Sequence, residues 1–338
     1  MINILVIGDP HFKNDNANDM TEMSHQTITI ASSLKPDFIV VLGDVLDTKD
    51  RIHLTPLLLA TKWLKELENI CPLYVIVGNH DRRHDKIFLT DEHPFTAFKY
   101  WTNTTIVDHP MIIKMYNYTF LMVPYVEPGR FKEALDLLHD IDYQHVTCVF
   151  CHQEFKGVQM GPVQSIHGDE WSSNMPYVIS GHIHEYQKLQ NNILYMGTPI
   201  QHRHSDTVDK YIGFFTFTKS PAHHDDYQCQ LISLNFPKKI KFYLNYDEFI
   251  HFKLPKDCHP QLIITGNESE IKSLLKLPKL ATLRKQGIKV IYNNKHNVVK
   301  SSLLPVLDKN NKSFSDLLYE KIKSDKNLTM LYREIFSI

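Results

Sequence analysis

The 338-residue sequence predicts an α/β fold: a two-sheet sandwich, a small α/β cap, and paired helices at the C-terminus. Three observations carry that prediction. Short apolar runs alternate with amphipathic stretches through the first 200 residues, as strand-helix-strand units do. From Thr105 to Val123 the pattern is β-rich with no helix between. Near Asn235-Phe-Pro-Lys-Lys-Ile the composition turns basic, and a second strand-helix-strand pattern follows.

Taken in order, Ile2–Ile7 reads as a buried strand, Met20–Leu34 as a helix and Phe38–Leu42 as a strand. Leu54–Leu67 then reads as a helix and Leu73–Val77 as a strand. This alternation implies a largely parallel sheet with helices on its faces. The helix-free run from Thr105 to Val123 implies a second, partly antiparallel sheet. Phe131–His139 reads as helical, and Val146–Cys151 and Tyr177–Ser180 as further strands. In the basic part, Gln261–Thr265 is a strand, and Asn267-Glu-Ser-Glu270 spells a helix N-terminal box. Leu283–Gly287 closes a helical stretch, and Ile288–Tyr292 is a strand. Residues 293–312 are polar and Lys/Asn-rich, as a linker would be. Phe314, Leu318 and Ile322, then Leu328, Leu331, Tyr332 and Ile335, recur at helical spacing. The expected divisions are 1–240 (core), 241–298 (cap) and 299–338 (linker and two helices). Two such helices cannot bury their own apolar faces, so they must dock on this chain or another.

Composition excludes several classes. A charged fraction of 22% with 43% apolar residues is ordinary for a globular protein and too apolar for disorder. No apolar run approaches the roughly 20 residues of a bilayer span. Asp9 and His11 follow the first apolar stretch at once, unlike a signal peptide. Five scattered cysteines do not form a disulfide framework. A soluble, cytoplasmic protein is expected. Cys148-Val-Phe-Cys151-His152 has the spelling of a haem attachment site, but attachment requires export and the segment reads as a strand. The net charge of -1 hides a split. Residues 1–237 carry 18 basic against 28 acidic side chains, and residues 238–338 carry 19 against 10. That fits an acidic metal site in one part and a phosphate-facing surface in the other, although a solvated lysine-rich surface would look the same in composition.

Five short motifs each follow an expected strand: Gly8-Asp9-Pro-His11, Gly43-Asp44-Val-Leu-Asp47, Gly78-Asn79-His80-Asp81, Cys151-His152-Gln, and Ser180-Gly181-His182-Ile-His184. Carboxylate, imidazole and carboxamide are the ligands of divalent metals such as Mn²⁺, Fe²⁺ or Zn²⁺. Loops at the carboxyl ends of strands in an open α/β sheet gather in one crevice. Glycine before a ligand lets backbones turn sharply and lie close. A lone His-x-His is weak, and His202-Arg-His204 and His223-His224 are read as loop histidines. Five ordered motifs at strand ends are a strong signal.

These residues resemble the calcineurin-like metallophosphoesterase superfamily, with its blocks D-x-H, G-D-x-x-D, G-N-H-D/E, H and G-H-x-H in order over residues 9–184. The resemblance implies a metallophosphoesterase sandwich with two metal ions. Asp9, His11, Asp44 and His184 would hold one, and Asp44, Asn79, His152 and His182 the second, with Asp44 bridging. His80 would be the general acid and Asp47 would orient it. Two such cations clamp a phosphodiester and acidify water for attack, while the poor leaving alkoxide needs a proton. Mn²⁺ is the first expectation, with Mg²⁺, Fe²⁺ and Zn²⁺ as alternatives. Asp47-Thr48-Lys49 and Asp81-Arg82 depart from the Ser/Thr phosphatase spelling.

The order of core, basic cap and terminal helices looks like the SbcD / meiotic recombination eleven family of DNA repair nucleases, which includes phage recombination endonuclease subunits. Tyr195-Met-Gly197-Thr198-Pro199 resembles that family's turn after the last metal histidines. The likeness implies a nuclease acting as exonuclease on duplex ends and endonuclease on single-stranded or hairpin DNA. It implies DNA as partner, and an SMC-like ATPase of the SbcC type bound through residues 313–336. It also implies a homodimer, for which residues 54–67 and 85–101 are candidates. The enzyme alternative is a phosphodiesterase or phosphatase on a small nucleotide or other phosphoester, which would not need residues 241–338.

Overall fold

The computed structural model describes residues 1–49, 51–139, 141–218 and 227–294, together with 321–323, 328, 329 and 332. Two six-stranded sheets face each other. From edge to edge the first runs Tyr227–Ile232, Ile212–Phe217, Ile2–Ile7, Phe38–Val41, Leu73–Ile76 and Thr104–Val107. Its last four strands are mutually parallel, and its first two are added antiparallel. The second sheet runs Gln187–Gln190, Ile193–Tyr195, Tyr177–Ser180, Cys148–Cys151, Tyr118–Val123 and Met111–Met115. The four inner strands are parallel and both edges antiparallel. The α/β sandwich is therefore as expected.

Side-chain alternation explains the layers. Ile2, Ile4 and Val6 point into the core between the sheets, with Phe38, Phe120, Phe150, Ile179 and Phe215. Leu5 and Ile7 point the other way, onto helices Ala17–Leu34 and Leu54–Glu68. The second helix buries Pro56, Ala60, Trp63, Leu64 and Leu67 along one stripe. The Trp63 indole N–H donates to Thr27 Oγ1 at 2.9 Å, tying the two helices together. A third core, including Val123, Phe131, Val149, Phe155 and Tyr195, covers the outer face of the second sheet.

Several details differ from expectation. Thr104–Val107 completes the first sheet, because its parallel register with Leu73–Ile76 is available once the chain has crossed through residues 85–101. That crossing is mostly turns with a 3-10 segment at Thr96–Tyr100. The stretch after residue 130 forms a helix only over Phe131–Leu135. A two-residue-per-strand hairpin, Gln159–Met160 with Val163–Gln164, was not foreseen.

The basic part forms a separate three-stranded parallel sheet of Lys238–Asn245, Cys258–Gly266 and Lys289–Asn294, with its own apolar core. Residue 240, where the core was expected to end, lies inside the first of these strands. The Asn267 box is formed: Glu270 N–H donates to Asn267 Oδ1 at 2.9 Å, and Asn267 N–H to Glu270 Oε2 at 2.7 Å. Pro278 divides the expected single helical stretch into Glu268–Leu274 and Pro278–Lys285. Lys239 fastens this sheet to the core: its N–H donates to Gln201 Oε1 (2.8 Å), its ammonium to Gln201 O (2.9 Å) and to Asp19 (2.9 Å). The expected terminal helices lie mostly outside the described residues, of which Lys321, Ile322, Leu328, Thr329 and Tyr332 are helical. No helix among the described residues is long and apolar enough to cross a membrane.

The tightest test of the sandwich is Phe38, fully buried with its ring edge-on to Tyr74 (5.4 Å) and Phe120 (5.3 Å). Phe38→Ala should cost about 3–5 kcal/mol of unfolding free energy. Urea denaturation of the two proteins side by side measures it.

Candidate metal centre

The parallel strands set the site. Ile2–Ile7, Phe38–Val41, Leu73–Ile76, Cys148–Cys151 and Tyr177–Ser180 each release a loop at the carboxyl end, and these loops carry the five motifs. They pack so closely that only glycine fits beside the ligands. A β-carbon on Gly78 would lie 2.3 Å from Asp44 Oδ1, one on Gly181 2.5 Å from Asp9 Oδ1, and one on Gly43 2.5 Å from His152 Nδ1. His11, Asp44 and His182 themselves adopt the left-handed backbone, at φ 48, 48 and 76°. Non-glycine residues held there mark a functional constraint.

Two groups of donors result. In the first, Asp9, His11 and His184 offer ligand atoms within 4.8 Å of one another, and in the second Asp44, His152 and His182 do the same. His11 Nε2 faces His184 Nε2 at 2.9 Å. In the second group Asn79 Oδ1 lies 3.0 Å from His152 Nε2 and 2.8 Å from His182 Nδ1. Asp44 stands between them, Oδ2 3.6 Å from His11 Nε2 and Oδ1 3.4 Å from His152 Nε2. All seven expected ligands thus come together.

Outer contacts fix which atoms face inward. His152 Nδ1–H donates to the Leu42 carbonyl at 2.7 Å, leaving Nε2 toward Asn79 and Asp44. Glu154 lies 3.9 Å behind His182 Nε2, so that Nδ1 is the inward atom. The Lys210 ammonium donates to the His184 carbonyl at 2.7 Å. Asp81 accepts from Leu46 N–H and Gly78 N–H, joining two of the loops, and Arg82 donates to the Tyr125 carbonyl.

The electrostatics are those of charges removed from water. Burial raises the Asp9 carboxyl well above its ordinary range and lowers His11 well below its own. Burial also opposes ionisation of Asp44, but His152 and then His11 outweigh it and hold the carboxyl well below the usual value. Burial pushes His152 down, yet the Asp44 and Asp9 carboxylates carry it up to about 9. Asp81 is raised to about 6, first by burial and then by Asp44. Both oxygens of Asp9 are buried without a hydrogen-bond donor, and so is His11 Nδ1. Orphaned acceptors surrounded by imidazoles and a carboxamide oxygen fit divalent cations.

His80 and Asp47 are adjacent, but not as expected. The His80 ring lies 5.1 Å from that of His11, and its N–H on the main chain donates to Asp44 Oδ1. Its Nδ1 donates to the backbone carbonyl of Asp47 at 2.7 Å, while the Asp47 carboxylate lies 3.4 Å from His11 Nδ1. Asp47 therefore positions His80 through its main chain. His202, read from the sequence as a loop histidine, is in a loop, but its ring packs edge-on against His11 at 5.5 Å with both nitrogens shut from solvent. Its proximity depends on the path of the loop after Pro199, which no local pattern reveals. His204 does behave as a loop residue, with Nε2 on the His259 carbonyl. His223 and His224 lie outside the described residues. Cys148 and Cys151 are free thiols in a buried strand.

Gly78→Ala places its β-carbon against Asp44, so Mn²⁺ affinity measured calorimetrically should fall about 10–100-fold. Unaltered binding at both sites would mean that the loop crowding is relaxed elsewhere.

Comparison with known proteins agrees with this geometry. The family model described as Calcineurin-like phosphoesterase matches residues 2–186, the span holding all five loops. A protein named "Putative phosphoesterase 078R", from Invertebrate iridescent virus 3, is 32% identical over 328 residues, 96% of this chain and 92% of its own length. "Putative phosphoesterase 244L", from Invertebrate iridescent virus 6, is 46% identical over 206 residues, 61% of this chain and 73% of its own. A solved Aquifex aeolicus protein of unknown function, AQ665, is 16% identical with a TM-score of 0.27, covering 44% of this chain and 79% of that one. The matched span and the near full-length relative show that the chain belongs to the calcineurin-like phosphoesterases, hydrolases that act with divalent metal ions.

Proposed function

We propose that the protein is a two-metal DNA nuclease, acting as exonuclease on duplex ends and endonuclease on single-stranded or hairpin DNA. It would work as a subunit of an SbcCD-type complex. The observation that carries the phosphodiesterase reading is the single Asp44 carboxylate set between two imidazole groups. Asp9, His11, Asp44 and His184 would hold one ion, and Asp44, Asn79, His152 and His182 the other. The mixture of imidazole and oxygen donors suits borderline and hard divalent ions, of which Mn²⁺ is taken first, with Mg²⁺, Fe²⁺ and Zn²⁺ as alternatives. When bound, the ions supply Lewis acidity toward the phosphate and toward water.

The chain's own residues do the rest. His80, with Nδ1–H committed to the Asp47 carbonyl, keeps Nε2 as the atom that hands a proton to the leaving alkoxide. Asn79 contributes a neutral oxygen, which limits the negative charge met by an anionic substrate. The histidine rings are locked by Leu42 O and by the approach of Glu154, so little reorganisation accompanies reaction.

DNA as the substrate is supported by the lysine-rich third sheet, fastened through Lys239 to the loop after the last metal histidines. The helical segment between its strands carries exposed lysines, Lys276 in the turn before Pro278–Lys285 and Lys285 at the end of that helix, which suit sequence-independent phosphate contact. The terminal segment 313–336 would dock the ATPase.

The test is Mn²⁺-dependent cleavage of end-labelled linear duplex and hairpin DNA, with His80→Ala beside it. Wild type should cut, and the variant should lose about two to four orders of magnitude in rate. Hydrolysis of small nucleotides with no action on either DNA would replace the nuclease reading with that of a small-substrate phosphodiesterase. Separately, the double variant Lys276→Glu/Lys285→Glu should bind duplex more weakly at low salt, with a flatter dependence of log affinity on log salt. Identical slopes would remove the third sheet from the DNA contact.

A further inference from the structure

An open cleft of about 510 Å³ adjoins the metal centre, with His182 and His184 in one wall. Its size is that of small-ligand sites, about 300–1,000 Å³. The opposite wall is the hairpin Gln159–Gln164, whose Met160 and Pro162 face the cleft, and Ile183 adds a third apolar surface. Arg203 stands at the rim. Two carboxylates are present, but both are engaged: Asp206 accepts from the His202 and Arg203 main-chain N–H groups, and Glu185 takes Thr207 and Lys210. The Arg203 guanidinium has no ion-pair or hydrogen-bond partner among the described residues. It is the uncommitted charge of the cleft.

With a phosphate held at His182 and His184, this space is open to one of its ester groups. That group has to suit flat apolar walls beside a cation. We propose that the cleft is a nucleoside subsite: the base lies on Met160 and Pro162, and Arg203 holds the next phosphate along the strand. The proposal rests on the phosphodiesterase reading above and names the group that the site selects. Met160 and Arg203 are then specificity-determining residues, with no part in the chemical step. Met160 is 36% exposed and Arg203 lies on the surface, so neither substitution removes core packing.

The experiment compares two esters with the same leaving group, the 5′-p-nitrophenyl ester of thymidine 3′,5′-bisphosphate and methyl p-nitrophenyl phosphate, in Mn²⁺. Met160→Ala and Arg203→Ala should each raise KM for the thymidine ester about tenfold, the scale of one lost stacking or ionic contact. Turnover of the methyl ester should stay unchanged. Calorimetric binding of thymidine 3′,5′-bisphosphate, which needs no turnover, should weaken to the same degree in both variants. Unchanged nucleotide affinity, or an equal fall on both esters, overturns the subsite. A wild-type protein inert toward both esters overturns the phosphodiesterase reading instead, and the binding comparison still decides the cleft.

Discussion

The structure is arranged around one buried carboxylate. Asp44 is almost entirely out of solvent, and among the described residues no lysine or arginine pairs with it. Its charge is met by imidazoles, with His152 the largest in effect and His11 next, and by the His80 main-chain N–H. Isolated charge at that depth is costly, so the site is stable only with protons or cations between the acceptors. Asp9, with both oxygens unpartnered, makes the same demand a few ångströms away. The need for positive charge is thus built into the protein before any substrate arrives.

That demand reaches back into the fold. Bringing two carboxylates and four imidazoles together requires loops from strands of both sheets to converge. Parallel strands allow this because every loop leaves at the same end. The helices behind the first sheet and the third core behind the second hold the strands rigid, and Asp81 ties the Gly43 and Gly78 loops to each other. Glycine at positions 43, 78 and 181 is the steric cost of this convergence, and left-handed backbone at His11, Asp44 and His182 is the conformational cost.

Much of this was legible in the residues. Four of the five strand ends are marked by an apolar run stopping at glycine and the fifth by Cys151-His152, so seven candidate ligands could be named without knowing the sheet order. What could not be read depends on distant chain. Ile212–Phe217 joins the first sheet by antiparallel pairing across two hundred residues, which no local period encodes. His202 approaches His11 because of a loop path, and its sequence neighbours look like an ordinary turn. For Asp47 the sequence names a side chain, while the contact to His80 comes from the carbonyl that every residue carries. The substitution there of any residue that keeps the turn would preserve that contact.

The fastening of Lys239 to Gln201 has a mechanical meaning. Three of its four bonds involve Gln201, two positions before Arg203, and the fourth ends on Asp19 in the helix behind the first sheet. A load on the lysine-rich sheet is therefore shared between this short loop at the rim of the cleft, the first helix and the linker from Tyr227–Ile232. Pulling on that sheet would strain the rim before it disturbed the ligands, since the strands that hold them belong to the two large sheets.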